Sequence, residues 1–117
     1  MQNLEQIRAA DALEPAKDLD RSAVNKLPAM IIANGLLATA AFCEAEGGGD
    51  NRSHMKRALD ATTDHLSRRG LIAAGKTQTK DLIADIASRD SQYLQRASAE
   101  ALAFIAYLKR FSKPDNK

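Results

Sequence analysis

The chain has 117 residues, of which 44% are hydrophobic, 27% are charged and 4% are aromatic. This length, together with the helical patterns described below, predicts a single helical domain over residues 1–117. The composition excludes a disordered chain. No apolar run reaches the roughly 18 residues of a membrane span, and the first residues do not read as a secretory signal, so we expect a cytoplasmic protein with no membrane partner.

Positive charge is concentrated in the second part of the chain, although the formal net charge is only +2. Residues 1–50 carry four basic and eight acidic side chains, whereas residues 51–117 carry thirteen basic and seven acidic ones. The later part is therefore the better contact for a polyanion such as nucleic acid. A solvated surface of mixed charge explains the same composition and is the more frequent case.

The first predicted helix runs from about Leu4 to Leu13, with Asn3 as its N-cap and Pro15 marking its end. Leu4 and Leu13 share the helical spacing of an apolar stripe that faces the core. The remaining members of this stripe are Ile7 and Ala10.

The next stretch is apolar almost all round, which is typical of a helix at the centre of a bundle. A second helix is predicted to begin after Asp20, and Pro28 either kinks it or starts a new one. Residues 29–42 form the apolar part, in which we expect Gly35 to permit close helix packing. The three glycines at positions 47–49 break the chain.

Three further helices are predicted after this break. One is capped by Ser53 and reaches Arg69, and Gly70 has the position of a left-handed residue after a helix end. A short helix covers about Thr79 to Ala87, and a long one covers about Ser91 to Phe111. The side chains predicted to face inward are Met55, Leu59, Thr62, Leu66, Leu94, Ala97, Ala101, Phe104, Ile105, Leu108 and Phe111. With no strand predicted, the fold class is all-α, a compact bundle of about five to six helices.

The residues from Gly70 to Thr77 match the Walker A pattern, whose glycine-rich loop follows a buried strand and binds nucleotide phosphates. Here an amphipathic helix precedes the loop, so a helix cap followed by a basic loop is the better interpretation. His54 and His65 are about 16 Å apart along one helix, too far to share a zinc ion, and are interpreted as surface residues. Cys43, the single cysteine, is interpreted as a small buried hydrophobe. We therefore expect no cofactor, no metal and no catalysis.

Basic residues cluster in the middle of the chain and near its end, as expected for contacts to a nucleic-acid backbone. The aromatic side chains of Phe42, Phe104 and Phe111 fall on apolar stripes and are predicted to be core, which leaves few rings for base stacking. The basic residues considered from charge alone are Arg52, Lys56, Arg57, Arg68, Arg69, Lys76 and Lys80.

Two segments resemble a known family. The residues from Lys26 to Phe42, KLPAMIIANGLLATAAF, and those from Tyr93 to Phe111 resemble the Cmr small-subunit family of type III-B CRISPR effector complexes. Together they cover about a third of the chain, in the order and spacing of that family. Residues 47–80 match no pattern of the family.

The resemblance implies a non-catalytic subunit that contacts guide and target RNA, the backbone subunits of the complex and neighbouring small-subunit copies. By motif position it assigns RNA contacts to Lys26, Lys109 and Arg110, and Arg8 follows from the first helix. Three alternatives stay open: the small subunit of a type III-A complex, a small P-loop nucleotide-binding protein, and a helical adaptor without a nucleic-acid role.

Overall fold

A computed structural model describes residues 1–45 and 49–114, and their secondary structure is helical. Six helices have nine residues or more, and one further helix, α2, is a single turn. The all-α class is therefore confirmed. In chain order the helices are α1 Leu4–Ala16, α2 Arg21–Val24, α3 Lys26–Asn34, α4 Leu36–Glu44, α5 Gly49–Arg68, α6 Thr79–Ala87 and α7 Ser91–Phe111.

Helix α1 begins as predicted, but it buries a different face. Asn3 forms a capping box with Gln6, which satisfies two backbone N–H groups at the helix start. The predicted stripe is wrong, because Leu13 is 51% exposed and Leu4 is exposed as well. Ala12 and Ala16 are buried instead. The helix ends at Ala16, so Pro15 lies inside its last turn and does not mark its end. The small alanines let α1 lie close to the core.

The apolar stretch over residues 29–42 is divided between two short helices, which corrects the prediction of one central helix. Gly35 has φ +96°, a conformation that side-chain-bearing residues rarely adopt, and it ends α3 and precedes α4. No atom lies within 4 Å of the place where a Cβ would be, so Gly35 serves the break rather than close packing. Pro28 is the third residue of α3 and fits the first turn of a new helix.

Helices α5 and α7 supply much of the core. Met55, Leu59, Thr62 and Leu66 of α5 are buried as predicted, and Gly70 follows the helix with φ +74°. Ser53 is not the N-cap, because α5 begins at Gly49; the predicted break at residues 47–48 lies outside the described residues. The buried residues of α7 are Ala97, Glu100, Ala101, Phe104, Ile105 and Leu108.

The two ends of the described chain meet. Helix α1 packs more extensively against α7 than any other pair of helices does. The N–H of Lys113 donates to the Leu19 carbonyl at 2.9 Å, and the N–H of Arg21 donates to the Lys113 carbonyl at 2.8 Å. These two bonds fasten the segment after α7 to the junction between α1 and α2. Within the described ranges, no helix has the length and apolar character needed to cross a bilayer.

Candidate nucleic-acid interface

Lys109 and Arg110, here called the terminal basic pair, have exposed side chains in the last turn of α7. Together with Arg21 and Ala106 they line an open hollow of about 390 Å³. The Arg21 guanidinium donates to the carbonyl oxygens of Lys109 at 3.0 Å, Arg110 at 3.0 Å and Ser112 at 2.8 Å. A cation at this position satisfies carbonyl groups that a helix end leaves without partners. Three positive charges therefore meet at the end of α7, and sequence reasoning missed Arg21.

Two other candidate residues, Lys26 and Arg52, meet at a second hollow. It has a volume of about 210 Å³ and lies between α3, α4 and the start of α5. The guanidinium carbon of Arg52 lies 4.2 Å from the centroid of the Phe42 ring, a cation–π contact. We call this the Phe42 hollow; its lining residues are Lys26, Met30, Phe42, Asn51, Arg52 and Met55.

The basic residues of α5 do not form one surface. Lys56 lies 3.6 Å from Glu44 and 3.4 Å from Asp60, and an exposed Arg57 contacts both ring nitrogens of His54 at 3.2 Å.

Arg68 and Arg69 are exposed at the other end of the helix. Arg68 pairs there with Asp64 at 3.0 Å, an i,i+4 contact on the helix surface. At 1.5 Å per residue, the two groups of basic residues on α5 are more than about 15 Å apart. The structure therefore separates what the sequence presented as one middle cluster.

Arg8 is committed to an ion pair with Glu100, a residue 92 positions later in the chain. The Arg8 Nη2 and Nε atoms donate to the two carboxylate oxygens of Glu100 at 2.7 Å and 2.9 Å, a bidentate geometry. Hydrogen bonding from Arg8, and then from His65, lowers the pKa of the buried Glu100 carboxyl below its ordinary value despite the opposing effect of burial. Arg8 therefore fastens α1 to α7.

His65 lies at the centre of this network and is only 1% exposed, so the interpretation as a surface histidine is wrong. Its Nε2 is 2.8 Å from Glu100 and its Nδ1 is 2.8 Å from Asp11, while its ring stacks on Phe104 at a centroid distance of 4.3 Å. Both ring nitrogens of His65 therefore lie within hydrogen-bonding distance of a carboxylate oxygen.

Arg68 extends the network, since it lies 3.3 Å from Asp11. We call the four side chains inside this network the buried ionic cluster: Arg8, Asp11, His65 and Glu100. It joins α1, α5 and α7.

The aromatic side chains divide between core and surface. Phe104 is fully buried, as predicted. The prediction is wrong for Phe42, which is 43% exposed, and for Phe111, which is 38% exposed and lies 6.2 Å from the ring of Tyr107. The rings of Phe42 and Phe111 therefore contact solvent, although the sequence predicted that both lie in the core.

The Walker-like loop, Gly70 to Thr77, is hydrogen-bonded to neighbouring parts of the protein. The residues before it form α5, and Gly70 and Gly75 both have positive φ. Its amides serve the protein itself: Ala73 N–H donates to Asp85 at 2.8 Å, and Lys76 N–H donates to the Ser67 hydroxyl at 3.3 Å. Neither of these two N–H groups is left to wrap phosphates.

Cys43 is buried, as predicted, and burial raises the pKa of its thiol to about 11, which disfavours the reactive thiolate. In residues 1–45 and 49–114, no group of three or more His, Cys, Asp or Glu side chains is placed to hold a metal ion.

Comparison with known proteins agrees with the two segments that carry the resemblance. A family model described as CRISPR-associated protein (Cas_Cmr5) matches residues 4–114. Neither the curated proteins nor the solved structures give a match. The matched region runs from the first residue of α1 to the last described residue. The chain therefore belongs to the Cas_Cmr5 family of CRISPR-associated proteins and is a Cmr-type small subunit.

Proposed function

We propose that this small subunit serves a type III-B CRISPR effector complex as a non-catalytic component that contacts guide and target RNA. The observation that carries the proposal is the terminal basic pair, which lies in a segment resembling the family and leaves both side chains exposed beside Arg21. Lysine and arginine side chains at such a surface bind phosphates without reading base sequence.

Lys26, Arg52, Arg57, Arg68 and Arg69 extend the proposed RNA surface. Lys56 and Arg68 each share their charge with two carboxylates, and Arg8 is held by Glu100, so these three contribute less. Because the exposed cations lie in separate groups, one copy offers few phosphate contacts. A row of copies offers many, and linked weak contacts multiply affinity.

The outer face of α3 and α4 is the proposed contact with other subunits. Ile32 is 75% exposed there, and four alanines of the two helices are exposed with it. Exposed apolar side chains gathered on neighbouring helices are typical of a protein–protein interface. The four alanines are Ala29, Ala33, Ala38 and Ala41.

A salt titration tests the RNA proposal. Target-RNA affinity is measured at several salt concentrations for the complex reconstituted with wild type, with Lys109→Ala/Arg110→Ala, and with Lys17→Ala. Each lost phosphate contact should reduce the slope of log affinity against log salt by about 1. Lys17 is an exposed control, since it pairs with Glu14 at 2.7 Å outside the proposed surface. Equal slopes for all three proteins would reject RNA binding by the terminal basic pair.

An assembly experiment tests the protein contact. Ile32→Asp places a charge on the exposed apolar face and should prevent incorporation into the complex, whereas the free chain stays folded because Ile32 lies outside the core. Leu13→Asp, at an exposed position of α1, is the matched control. Normal incorporation of Ile32→Asp would reject α3 and α4 as the contact.

A further inference from the structure

We propose that the Phe42 hollow binds one unstacked nucleobase of single-stranded RNA, with Lys26 contacting the adjoining phosphate. The proposal rests on RNA binding by this subunit and adds a site that recognises the base itself. It differs from the terminal basic pair, where only phosphate contacts are proposed.

The hollow has the size and lining of a site for a small flat ligand. Its volume of about 210 Å³ is below the roughly 300 Å³ at which pockets for drug-sized molecules begin. Met55 is 2% exposed and forms a floor, and the half-buried Met30 adds a second thioether side chain. Methionine sulfur makes favourable contacts with aromatic rings and adapts to their shape. A single planar ring system therefore suits this space.

The Phe42–Arg52 pair supplies a stacking surface. The guanidinium and the phenyl ring are both planar, and they lie 4.2 Å apart. Single-stranded RNA is typically bound by stacking its bases on aromatic side chains or on arginine guanidinium planes. The cost of exposing Phe42 to water also falls when a base covers the pair. The Phe42 ring and the Arg52 guanidinium together therefore offer a planar surface on which a base can stack.

Charge decides between a base and an apolar side chain from another protein. Lys26 contributes an exposed positive charge to the lining, and the Arg52 guanidinium lies over the Phe42 ring. An aliphatic side chain fills the floor but makes no use of these cations, whereas a nucleotide joins a flat ring to an anionic phosphate. Asn51 offers amide donors and an acceptor to a base edge. A nucleotide therefore fits the apolar floor, the Phe42 ring and the exposed Lys26 together.

The experiment compares Phe42→Leu with Phe111→Leu, because each variant removes one exposed ring and keeps an apolar side chain. Affinities of the 117-residue chain are measured at low salt for a single-stranded RNA, for the same strand with abasic residues, and for adenosine monophosphate. Phe42→Leu should bind the intact strand about tenfold more weakly than wild type, which is about 1.4 kcal/mol. Phe111→Leu should bind it like wild type.

The abasic strand isolates the stacking contact. Wild type should lose about tenfold on the abasic strand, and Phe42→Leu should lose nothing further, because the same contact is already missing. The salt slope of Phe42→Leu should equal that of wild type, since no charge is removed. If adenosine monophosphate binds saturably with the same dependence on Phe42, and the intact strand does not compete with it, the ligand of the hollow is a free nucleotide. That result would overturn the assignment to RNA.

The remaining outcomes separate this proposal from the proposed function. If wild type and Phe42→Leu bind the intact strand equally while Lys109→Ala/Arg110→Ala binds it more weakly, the Phe42 hollow is rejected and RNA binding stands. If Phe42→Leu binds RNA normally but fails to enter the complex, the hollow holds a protein side chain and the proposal is overturned. If wild type binds no RNA alone or in the complex, both proposals fail.

Discussion

The buried ionic cluster and the terminal basic pair use the same types of side chain for opposite purposes. In the cluster, Arg8 lies between helices and two hydrogen bonds direct its guanidinium at Glu100. In the terminal pair, the side chains of Lys109 and Arg110 extend into solvent while Arg21 satisfies the carbonyls of the same residues. The difference teaches that, within the part of the chain that the structure describes, a positive charge joins helices where it pairs with a carboxylate and stays exposed to solvent where it forms no such pair.

Removing Glu100 should break this comparison most strongly. Glu100→Ala leaves the half-buried Arg8 and the buried His65 without their shared acceptor, and loss of one partner of a buried pair costs about 3 kcal/mol or more. The free energy of unfolding is measured by urea titration. Glu14→Ala is the control, because its pair with Lys17 is exposed and contributes little. A loss below about 1 kcal/mol for Glu100→Ala would show that the cluster does not fasten the helices.

Gly35→Ala should have the next largest effect. At φ +96° and ψ 158° a side-chain-bearing residue is strained, and such strain costs about 2 kcal/mol. The space around Gly35 is open, so this cost comes from the backbone and not from a clash. Thermal unfolding compares the variant with Asn34→Ala, an exposed neighbour. Equal melting temperatures would mean that α3 and α4 rearrange without penalty.

Acid should weaken the buried ionic cluster through Glu100. The folded pKa of Glu100 is lowered, mainly by hydrogen bonding from Arg8, so its stabilising contribution is present above the ordinary glutamate range and is lost as the pH falls through the folded value. The free energy of unfolding should therefore decline at acidic pH, and Glu100→Gln should show a shallower decline. Unfolding curves recorded at several pH values check this. The same decline in both proteins would assign it to other carboxylates.

The smallest effect on stability is expected at the terminal basic pair. Lys109→Ala/Arg110→Ala removes two exposed side chains and should change the free energy of unfolding by about 0.5 kcal/mol or less, although it should weaken RNA binding. The backbone carbonyls that Arg21 contacts remain in place. A large loss of stability would show that these side chains support the end of α7, and that their role in RNA binding cannot be separated from folding.

Local patterns predicted the helices whose signals lie within their own residues. The bounds of α6 and α7 agree with the prediction, because a polar residue such as Asp90 caps α7 and regular apolar spacing follows it. The face of α1 that turns toward the core could not be predicted in this way. Its buried side follows Arg8 and Asp11, whose partners lie on α5 and α7 far along the chain.

The candidate site was predicted in part. The resemblance pointed to Lys109 and Arg110, and the structure leaves both side chains exposed. It gave no sign that Arg52 covers Phe42, because residues ten positions apart meet only after α4 and α5 pack together. An aromatic residue on an apolar stripe is interpreted as core by default. The exposure of Phe42 could therefore be learned only from the fold.

The packing of α1 against α7 has a consequence for the order of events during synthesis. A ribosome delivers Arg8 and His65 long before Glu100, which is their common acceptor. Until α7 emerges, the growing chain holds Arg8 and His65 without their common acceptor and an uncovered α1 surface, so it cannot complete its native assembly. Closure across almost the whole described length also gives this helical protein contacts of long sequence separation, which slow folding relative to bundles of neighbouring helices. The last helix to be made is thus the one that completes the first.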